Sequence, residues 1–338
     1  MRVDRDTVVV ITGASGGVGR ATARLLGERG ARVVLVARGR DGLAAAKREV
    51  EERGGRALAV PGDVSRFADL EAAADAAERE FGPIDLWINN AMVSMYSPFT
   101  RMTTEEFQHI VEVTFLGTVH GTRVALQRMI PADRGVIIQV GSALAFRSIP
   151  LQSAYCASKH AIQGFTESIR SELIHDRSSV RVSVVNMPAL NTTQFVWTRN
   201  RMPHEVRPTG TIFQPEVAAD AILFAAEHER REMMVGYTTV EATLGEKVVP
   251  GLLDRYLATA AWEGSMLPQP ADPDRPDNFW KPVPGDHGAH GQFDSLARAF
   301  SLQLWATKHR AALLSGLLVA GAAWASSRAQ RRVAQRSV

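Results

Sequence analysis

Tyr155 and Lys159 carry the clearest chemical signal in this sequence, because they form a Tyr-x-x-x-Lys pair. On a helix, residues four apart lie on one face, one turn from each other. A lysine ammonium beside a phenol favours the phenolate, so such a tyrosine could exchange a proton well below its free pKa of about 10. Ser142 ends an apolar run thirteen residues before the tyrosine. Each residue alone is also typical of an ordinary helix surface or strand end, but the three together indicate hydride transfer on a carbonyl or an alcohol.

A glycine-rich turn over residues 12–19 (TGASGGVG) lies between the first strand-like run and the first helical stretch. Glycines let the backbone turn sharply and approach a pyrophosphate, and a helix N-terminus offers unpaired N–H groups and positive potential. Such a turn could be only a tight connection, but its place in a β-α unit predicts a dinucleotide site. The predicted contacts are Gly13, Ser15, Gly16, Gly17, Val18 and Gly19.

The end of the second strand-like run distinguishes between the two nicotinamide cofactors. An NAD site usually has a carboxylate there for the ribose hydroxyls, but this run ends in Arg38 and Arg40, and the first acidic residue is Asp41. A guanidinium could clamp a 2′-phosphate that a carboxylate would repel. We therefore predict NADP(H), bound through Arg38, against the alternative that this arginine only solvates a loop. Asp63, after the third run, is predicted to accept from the adenine amino group, unless it merely caps a turn.

Short apolar runs rich in β-branched residues alternate with amphipathic stretches up to about residue 235. Nearly continuous hydrophobicity is typical of strands covered on both faces, and repeated β-α units imply a parallel, doubly wound sheet. We predict an α/β fold with a Rossmann-like sheet of about seven strands and a C-terminal extension. The predicted strands are Val8–Ile11, Val33–Val36, Ala57–Val60, Leu86–Ile88, Val136–Val140, Val180–Val185 and a short one near Met233–Val235. The predicted helices are Gly19–Arg29, Leu43–Glu52, Leu70–Phe81, Thr104–Met129, Ala154–Leu173 and Pro215–Glu227, and residues 239–262 are predicted to be one more helical region.

Composition limits the class and the surroundings of the protein. The chain has 338 residues, 45% of them hydrophobic, which is ample for one large globular domain. A single cysteine, Cys156, rules out an intramolecular disulfide, and no signal peptide is recognised before Thr7, so we expect a cytoplasmic protein. Residues 1–294 hold 32 basic against 36 acidic side chains, which gives no reason to expect a nucleic-acid partner.

The chain divides by composition into three parts. Residues 1–262 are predicted to form an NADP-binding catalytic domain. Residues 263–294, which we call the arm, contain six prolines and are predicted to be a linker or a surface arm. Residues 295–338 form a tail with seven basic and no acidic residues. Its apolar stretch, residues 311–325, is predicted to be either a packing helix or a membrane anchor that tethers the protein.

From residue 5 to about residue 240 the chain resembles the short-chain dehydrogenase/reductase family, of the single-domain kind. The resemblance rests on the Thr-Gly-x-x-x-Gly-x-Gly turn, Asp63-Val64, Asn89-Asn90-Ala91, Ser142 and Tyr155-x-x-x-Lys159, in that order. It implies a Rossmann fold with the nicotinamide stacked beside the serine, the tyrosine and the lysine. It also implies a homodimer or homotetramer that associates through the long helices predicted over Thr104–Met129 and Ala154–Leu173.

The resemblance implies a role for each matching residue. Tyr155 would be the general acid in reduction and the general base in oxidation, while Lys159 would lower the tyrosine pKa and hold the nicotinamide ribose. Ser142 would orient the substrate oxygen and stabilise its developing negative charge. The cofactor would also be bordered by the neighbours of these motifs, namely Val64, Asn90, Ala91 and Pro188.

Two positions depart from the family pattern. Met92 stands where the family usually has glycine, so its side chain would narrow the site near the cofactor. Thr114 stands where the family normally has asparagine, whose backbone carbonyl helps to hold a water that links the lysine to solvent. Threonine keeps a carbonyl but changes the side-chain geometry, so we leave Thr114 out of the predicted catalytic set.

Three functions follow, in order of preference. The first is an NADP(H)-dependent oxidoreductase that interconverts a carbonyl and an alcohol on a small, lipophilic substrate. Its apolar pocket is predicted to include Leu144, Phe146, Ile149, Trp197 and the loop from Leu190 to Phe213. The second is a non-catalytic NADP(H)-binding sensor or scaffold tethered by its tail. The third, an epimerase or dehydratase of the extended family, usually has a shorter spacing between its first two glycines than Gly13 and Gly17 have.

Overall fold

A computed structural model describes residues 1–316, 318 and 324 of the chain. Its centre is a sheet of seven parallel strands with the order β12-β7-β6-β4-β1-β2-β3. These strands are β1 (Val8–Thr12), β2 (Arg32–Ala37), β3 (Arg56–Pro61), β4 (Leu86–Asn89), β6 (Val136–Ser142), β7 (Arg181–Met187) and β12 (Glu232–Met234). The short strands are β5 (Met95–Tyr96), β8 (Ala189–Leu190), β9 (Arg199–Asn200), β10 (His204–Val206), β11 (Ile212–Phe213) and β13 (Met266–Pro270). The strand order reverses at β1, and in such sheets ligands bind beyond the carboxyl ends of the strands at that point.

Helices cover both faces of the sheet. They are α1 (Gly17–Glu28), α2 (Arg40–Glu52), α3 (Phe67–Phe81), α4 (Thr104–Ile110), α5 (Gly117–Met129), α6 (Ser153–His175), α7 (Gln194–Trp197), α8 (Pro215–Glu227), α9 (Tyr237–Val248), α10 (Pro250–Gly264) and α11 (Leu302–Lys308). One core cluster joins the sheet to α1, α2 and α8, and the other joins it to α3, α5 and α6. Because both faces are covered, β1 is buried along its whole length, which is why its sequence is apolar throughout.

The structure confirms the predicted α/β fold and places every predicted strand within a few residues of its observed bounds. One helical prediction was wrong in detail, and one predicted helical region is divided. Residues 104–129 are not one regular helix, because a π-helical stretch, Val111–Leu116, separates α4 from α5. Residues 239–262 form two helices, α9 and α10, since the chain breaks at Val249 before Pro250, where a proline removes the N–H that a continuous helix needs.

The arm runs along the surface, but some of its aromatic side chains are buried in the core. Strand β13 in the arm pairs antiparallel with β10. Phe279 is 0% exposed within one core cluster, and Phe293 is buried in a small third cluster. Beyond the arm, Leu304 on α11 is buried in the cluster on the other face of the sheet. The predicted division into a domain, an arm and a tail stays a prediction.

The predicted apolar helix over residues 311–325 lies partly outside the described residues. Residues 311–316 are helical and exposed, and Leu318 and Trp324 are exposed. Within the part of the chain that the structure describes, no helix has both the length and the apolar character that crossing a membrane requires.

Candidate active site

The glycine-rich turn between β1 and α1 is shaped by backbone conformations that favour glycine. Gly13 and Gly17 have φ of +67° and +53°, in the left-handed region where a side chain is strained. Gly19 allows close packing instead, because a Cβ there would stand 2.2 Å from the carbonyl oxygen of Gly13. Asn90 fixes the turn from the end of β4, donating from Nδ2 to the carbonyl oxygens of Thr12 at 2.9 Å and Gly13 at 3.2 Å.

A cavity of about 420 Å³ opens beyond the carboxyl ends of the strands, beside this turn. All but one of the sequence-predicted site residues line it. These are Gly13, Ser15, Gly16, Gly17, Val18, Arg38, Asp63, Val64, Asn90, Ala91, Ser142, Tyr155, Lys159 and Pro188. The exception is Gly19, which packs behind the turn rather than facing the cavity.

Ser142, Tyr155 and Lys159 come together in the wall of this cavity. Ser142 ends β6, and its hydroxyl oxygen accepts from the backbone N–H of Leu144 at 3.1 Å. Tyr155 and Lys159 lie one turn apart in α6, with Lys159 Nζ 5.5 Å from the centre of the tyrosine ring. Lys159 Nζ also donates to the carbonyl oxygen of Val140 at 2.6 Å. The spacing that the sequence singled out therefore does bring the three side chains to one place.

Burial dominates the protonation of the tyrosine and the lysine. Although Tyr155 keeps part of its surface open to the cavity, burial raises its pKa, while a hydrogen bond with Ser142 acts in the opposite direction. Burial lowers the pKa of Lys159 to about 8. The resemblance assigned the lowering of the tyrosine pKa to Lys159, but in the structure the lowering influence on Tyr155 comes from Ser142. The role of Lys159 stays a prediction.

Thr114 lies in the π-helical stretch, and its side chain holds the chain that follows β4. Its hydroxyl donates to the carbonyl oxygen of Val93 at 3.0 Å and accepts from the N–H of the same residue at 3.2 Å. The carbonyl oxygen of Thr114 accepts from the Thr118 hydroxyl at 3.0 Å. The threonine thus has a positioning contact next to the cavity, and its carbonyl is engaged by α5.

Arg38 and Asp63 also line the cavity. Burial lowers the pKa of Arg38, and the Asp63 carboxylate partly opposes that effect. One oxygen of Asp63 accepts from the N–H of Ser65 at 3.0 Å and from the Ser65 hydroxyl at 2.8 Å. Asp63 therefore both caps a turn and lines the cavity. Turn capping and the predicted contact with the adenine amino group are compatible.

The arm supplies cavity walls that the sequence did not identify as part of the site. Asn278, Pro282, Val283, Gly285 and His287 all line the cavity. The carbonyl oxygen of Gly288 accepts from the N–H of Gly17 at 3.4 Å, and Asp286 pairs with the buried guanidinium of Arg20. No local sequence pattern predicts these contacts, because they join parts of the chain that are more than 200 residues apart.

The predicted apolar pocket is formed in part. Leu144, Ile149, Leu190 and Trp197 line the cavity, as predicted, but Phe146 does not. The buried Tyr96 also lines it, although the sequence gave no reason to select that residue.

The residues of this cavity suit a dinucleotide. The glycine turn leaves a cradle that side chains would fill, and Arg38 offers a cation without a carboxylate within ion-pair distance among residues 1–316, 318 and 324. A parallel sheet with this crevice and a Ser-Tyr-Lys group defines a nicotinamide-dependent oxidoreductase.

Comparison with known proteins identifies the family. A family model described as short chain dehydrogenase matches residues 7–203, so the chain belongs to the short-chain dehydrogenase family. It is 33% identical over 332 residues to the uncharacterized oxidoreductase YxnA of Bacillus subtilis, a match that covers 96% of this chain and 91% of that protein. It is 34% identical to 3beta-hydroxysteroid dehydrogenase 1 of Eggerthella lenta over 250 residues, which cover 72% of this chain and 94% of the relative.

A solved structure of a metagenomic short-chain oxidoreductase in complex with NADP is also similar to this chain. The TM-score is 0.58 at 31% identity, and the match covers 68% of this chain and 96% of the other. These similarities establish an oxidoreductase that acts on CH–OH/C=O groups with NADP(H), which confirms the cofactor predicted from Arg38.

Proposed function

We propose that the protein interconverts a ketone or aldehyde and the corresponding alcohol on a lipophilic small molecule, with Tyr155 as the general acid and base. The observation that carries this proposal is the close approach of Ser142, Tyr155 and Lys159 in the wall of the cofactor cavity. Bound NADP(H) supplies or accepts the hydride in this chemistry. The residues of the chain must then place the substrate carbonyl and move one proton.

In the reducing direction, Tyr155 donates its proton to the carbonyl oxygen as charge develops there. Its raised pKa keeps the phenol protonated at neutral pH, as an acid requires. Lys159, with a pKa of about 8, is mostly protonated at pH 7, and its charge beside the ring stabilises the phenolate left behind. The Ser142 oxygen accepts the Leu144 N–H, and its hydroxyl hydrogen-bonds with Tyr155. With the substrate oxygen between the two side chains, the serine donates its proton to that oxygen instead.

The preference for a lipophilic substrate is supported by apolar walls of the same cavity. Leu144, Ile149, Leu190, Phe195 and Leu257 line it. Apolar walls with a few polar groups are typical of small-molecule sites. The similarity to a 3beta-hydroxysteroid dehydrogenase over 94% of that enzyme favours a hydroxyl or ketone on an alicyclic ring as the first class to test.

NADPH consumption by the full-length protein with a panel of cyclic ketones, aldehydes and quinones tests the proposal. Tyr155→Phe should lower kcat at least about 100-fold, since general acid–base catalysis contributes that much, with little change in the Kd for NADPH. Tyr256→Phe, at a tyrosine that is 64% exposed, is the matched control and should keep wild-type turnover. Equal turnover in Tyr155→Phe would contradict the mechanism, and NADPH binding without turnover on any substrate would favour the non-catalytic alternative.

A further inference from the structure

Backbone carbonyls of the arm hold the guanidinium of Arg38. Its Nη1 donates to the carbonyl oxygens of Phe279 at 3.1 Å and Trp280 at 3.3 Å, and its Nη2 donates to that of Asn278. Arg38 follows β2 and lines the cofactor cavity. Three consecutive residues of the arm thus converge on the one cation expected to meet the 2′-phosphate.

These contacts leave Arg38 both hydrogen-bonding capacity and charge. A guanidinium has five N–H donors, and three hydrogen bonds to carbonyls leave Nε–H and one Nη2 hydrogen without a partner in the described part of the chain. Carbonyl oxygens are neutral, so they orient the cation without cancelling its charge. A carboxylate in their place would repel an incoming phosphate.

The segment that carries the three carbonyls is itself fixed in place. Phe279 is fully buried, and its carbonyl oxygen also meets Nε2 of His109 at 2.9 Å. Asp277 accepts from the Phe279 N–H at 3.0 Å and pairs with Arg199 at 3.1 Å. Trp280 lies against the His109 ring, with 4.4 Å between ring centres. The three carbonyls therefore belong to a well-packed segment and not to a loose surface loop.

We propose that residues 278–280 of the arm are a positioning element that aims Arg38 at the 2′-phosphate and thereby sets the preference for NADP(H) over NAD(H). The buried Phe279 ring anchors this element. The inference rests on NADP(H) binding and not on the proposed carbonyl chemistry, so a binding experiment tests it even if the substrate class is different.

The test compares the Kd values of NADPH and NADH, measured by calorimetry on full-length wild-type protein and Phe279→Ala. The ratio of NADH Kd to NADPH Kd should fall about tenfold in the variant, the equivalent of one hydrogen bond to a charged group, while the NADH Kd changes less than about twofold. Phe279→Leu, which keeps an apolar anchor, should restore most of the ratio. Phe300→Ala is the control at a phenylalanine that is 60% exposed, and it should leave the ratio unchanged.

A double-mutant cycle separates positioning of Arg38 from a general structural effect. In the Arg38→Ala background, Phe279→Ala should have no further effect on the ratio. An equal effect in both backgrounds, an equal loss of both cofactors, or an unchanged ratio would overturn the proposal. Tighter NADPH binding in Phe279→Ala would also overturn it, because the arm would then compete with the phosphate. Should Phe279→Ala fail to fold, Asp277→Asn tests the same ratio with the same expected direction.

Discussion

Two neighbouring side chains in the site, Tyr155 and Lys159, are both held towards their neutral forms by burial. The phenol keeps its proton to higher pH than a free tyrosine, and the ammonium loses its proton at lower pH than a free lysine. Burial alone would make proton donation by Tyr155 costly, so transfer to a substrate depends on the Ser142 hydrogen bond and the nearby Lys159 charge, which stabilise the phenolate. The bound cofactor, with its negative phosphates, would raise the lysine pKa again.

Lys159 should leave a signature in the pH dependence of stability. Its pKa is about 8 in the folded protein against 10.5 unfolded, so the unfolded chain binds more protons between those values. The contribution of Lys159 to the free energy of unfolding should therefore increase as the pH rises above 8, with a limiting slope of about 1.4 kcal/mol per pH unit. Tyr155 adds an opposite contribution only above its unfolded value of 10.0.

Denaturant unfolding of wild-type protein and Lys159→Met between about pH 7 and pH 10 measures this contribution. The wild-type curve should rise relative to the variant above pH 8, because methionine does not titrate. Parallel curves over the whole range would show that the lysine pKa is not lowered by folding.

At the scale of elements, the β1–turn–α1 unit needs two glycines for different structural reasons. Gly13 adopts a backbone conformation that side chains avoid, while Gly19 lets the first turn of α1 touch the loop. The π-helical stretch between α4 and α5 similarly places Thr114 where its hydroxyl can serve both polar backbone groups of Val93. Local backbone irregularities of this kind cluster where a cofactor or substrate approaches.

Gly19→Ala should destabilise the protein and weaken NADPH binding. The added methyl would stand 2.2 Å from the Gly13 carbonyl oxygen, and relieving that clash should cost about 1–3 kcal/mol and distort the turn. Gly164→Ala is the matched control, since it also lies inside a helix, α6, but has open space around it. That control should stabilise the protein by about 0.5–1 kcal/mol. Thermal unfolding and NADPH titration of both variants check this expectation. Equal stability and equal NADPH affinity of the two variants would refute the packing argument.

The order of strands and helices and the position of the cofactor turn could be predicted from the sequence. Strands buried on both faces must be apolar, and the cofactor turn needs its glycines. The π-helical stretch could not be predicted, since residues 104–129 keep a helical distribution of apolar side chains through it. Nor could the position of Phe279. A few aromatic residues among prolines have no periodicity, and the carbonyl of Phe279 is held by Arg38, just after β2, and by His109 of α4, far away in the chain.

In the whole molecule, side chains from residues 263–308 reach both faces of the sheet. Phe279 of the arm joins the core cluster on the side of α3, α5 and α6, and Leu304 of α11 joins the cluster on the side of α1, α2 and α8. Arg20 on α1 connects to the arm through Asp286 and to α2 through Glu49. Residues 263–308 therefore contribute to the packing of the catalytic domain.

A chain that ends at Gly264 should accordingly be less stable than the full-length protein. Loss of one buried phenylalanine and one buried leucine should lower the free energy of unfolding by about 5 kcal/mol or more, a large part of the total for a typical domain. Calorimetric unfolding of both chains checks this expectation. An unchanged Tm would mean that the arm is only a linker.

The central claim, that Tyr155 protonates a carbonyl oxygen while hydride arrives from NADPH, is tested most directly by isotope transfer in a single turnover. Full-length protein with NADPH deuterated at the transferable C4 position should yield an alcohol that carries one deuterium on the former carbonyl carbon, as measured by mass spectrometry. In Tyr155→Phe the same product should form at least about 100-fold more slowly. An alcohol without deuterium, or transfer at the wild-type rate in the variant, would contradict the account.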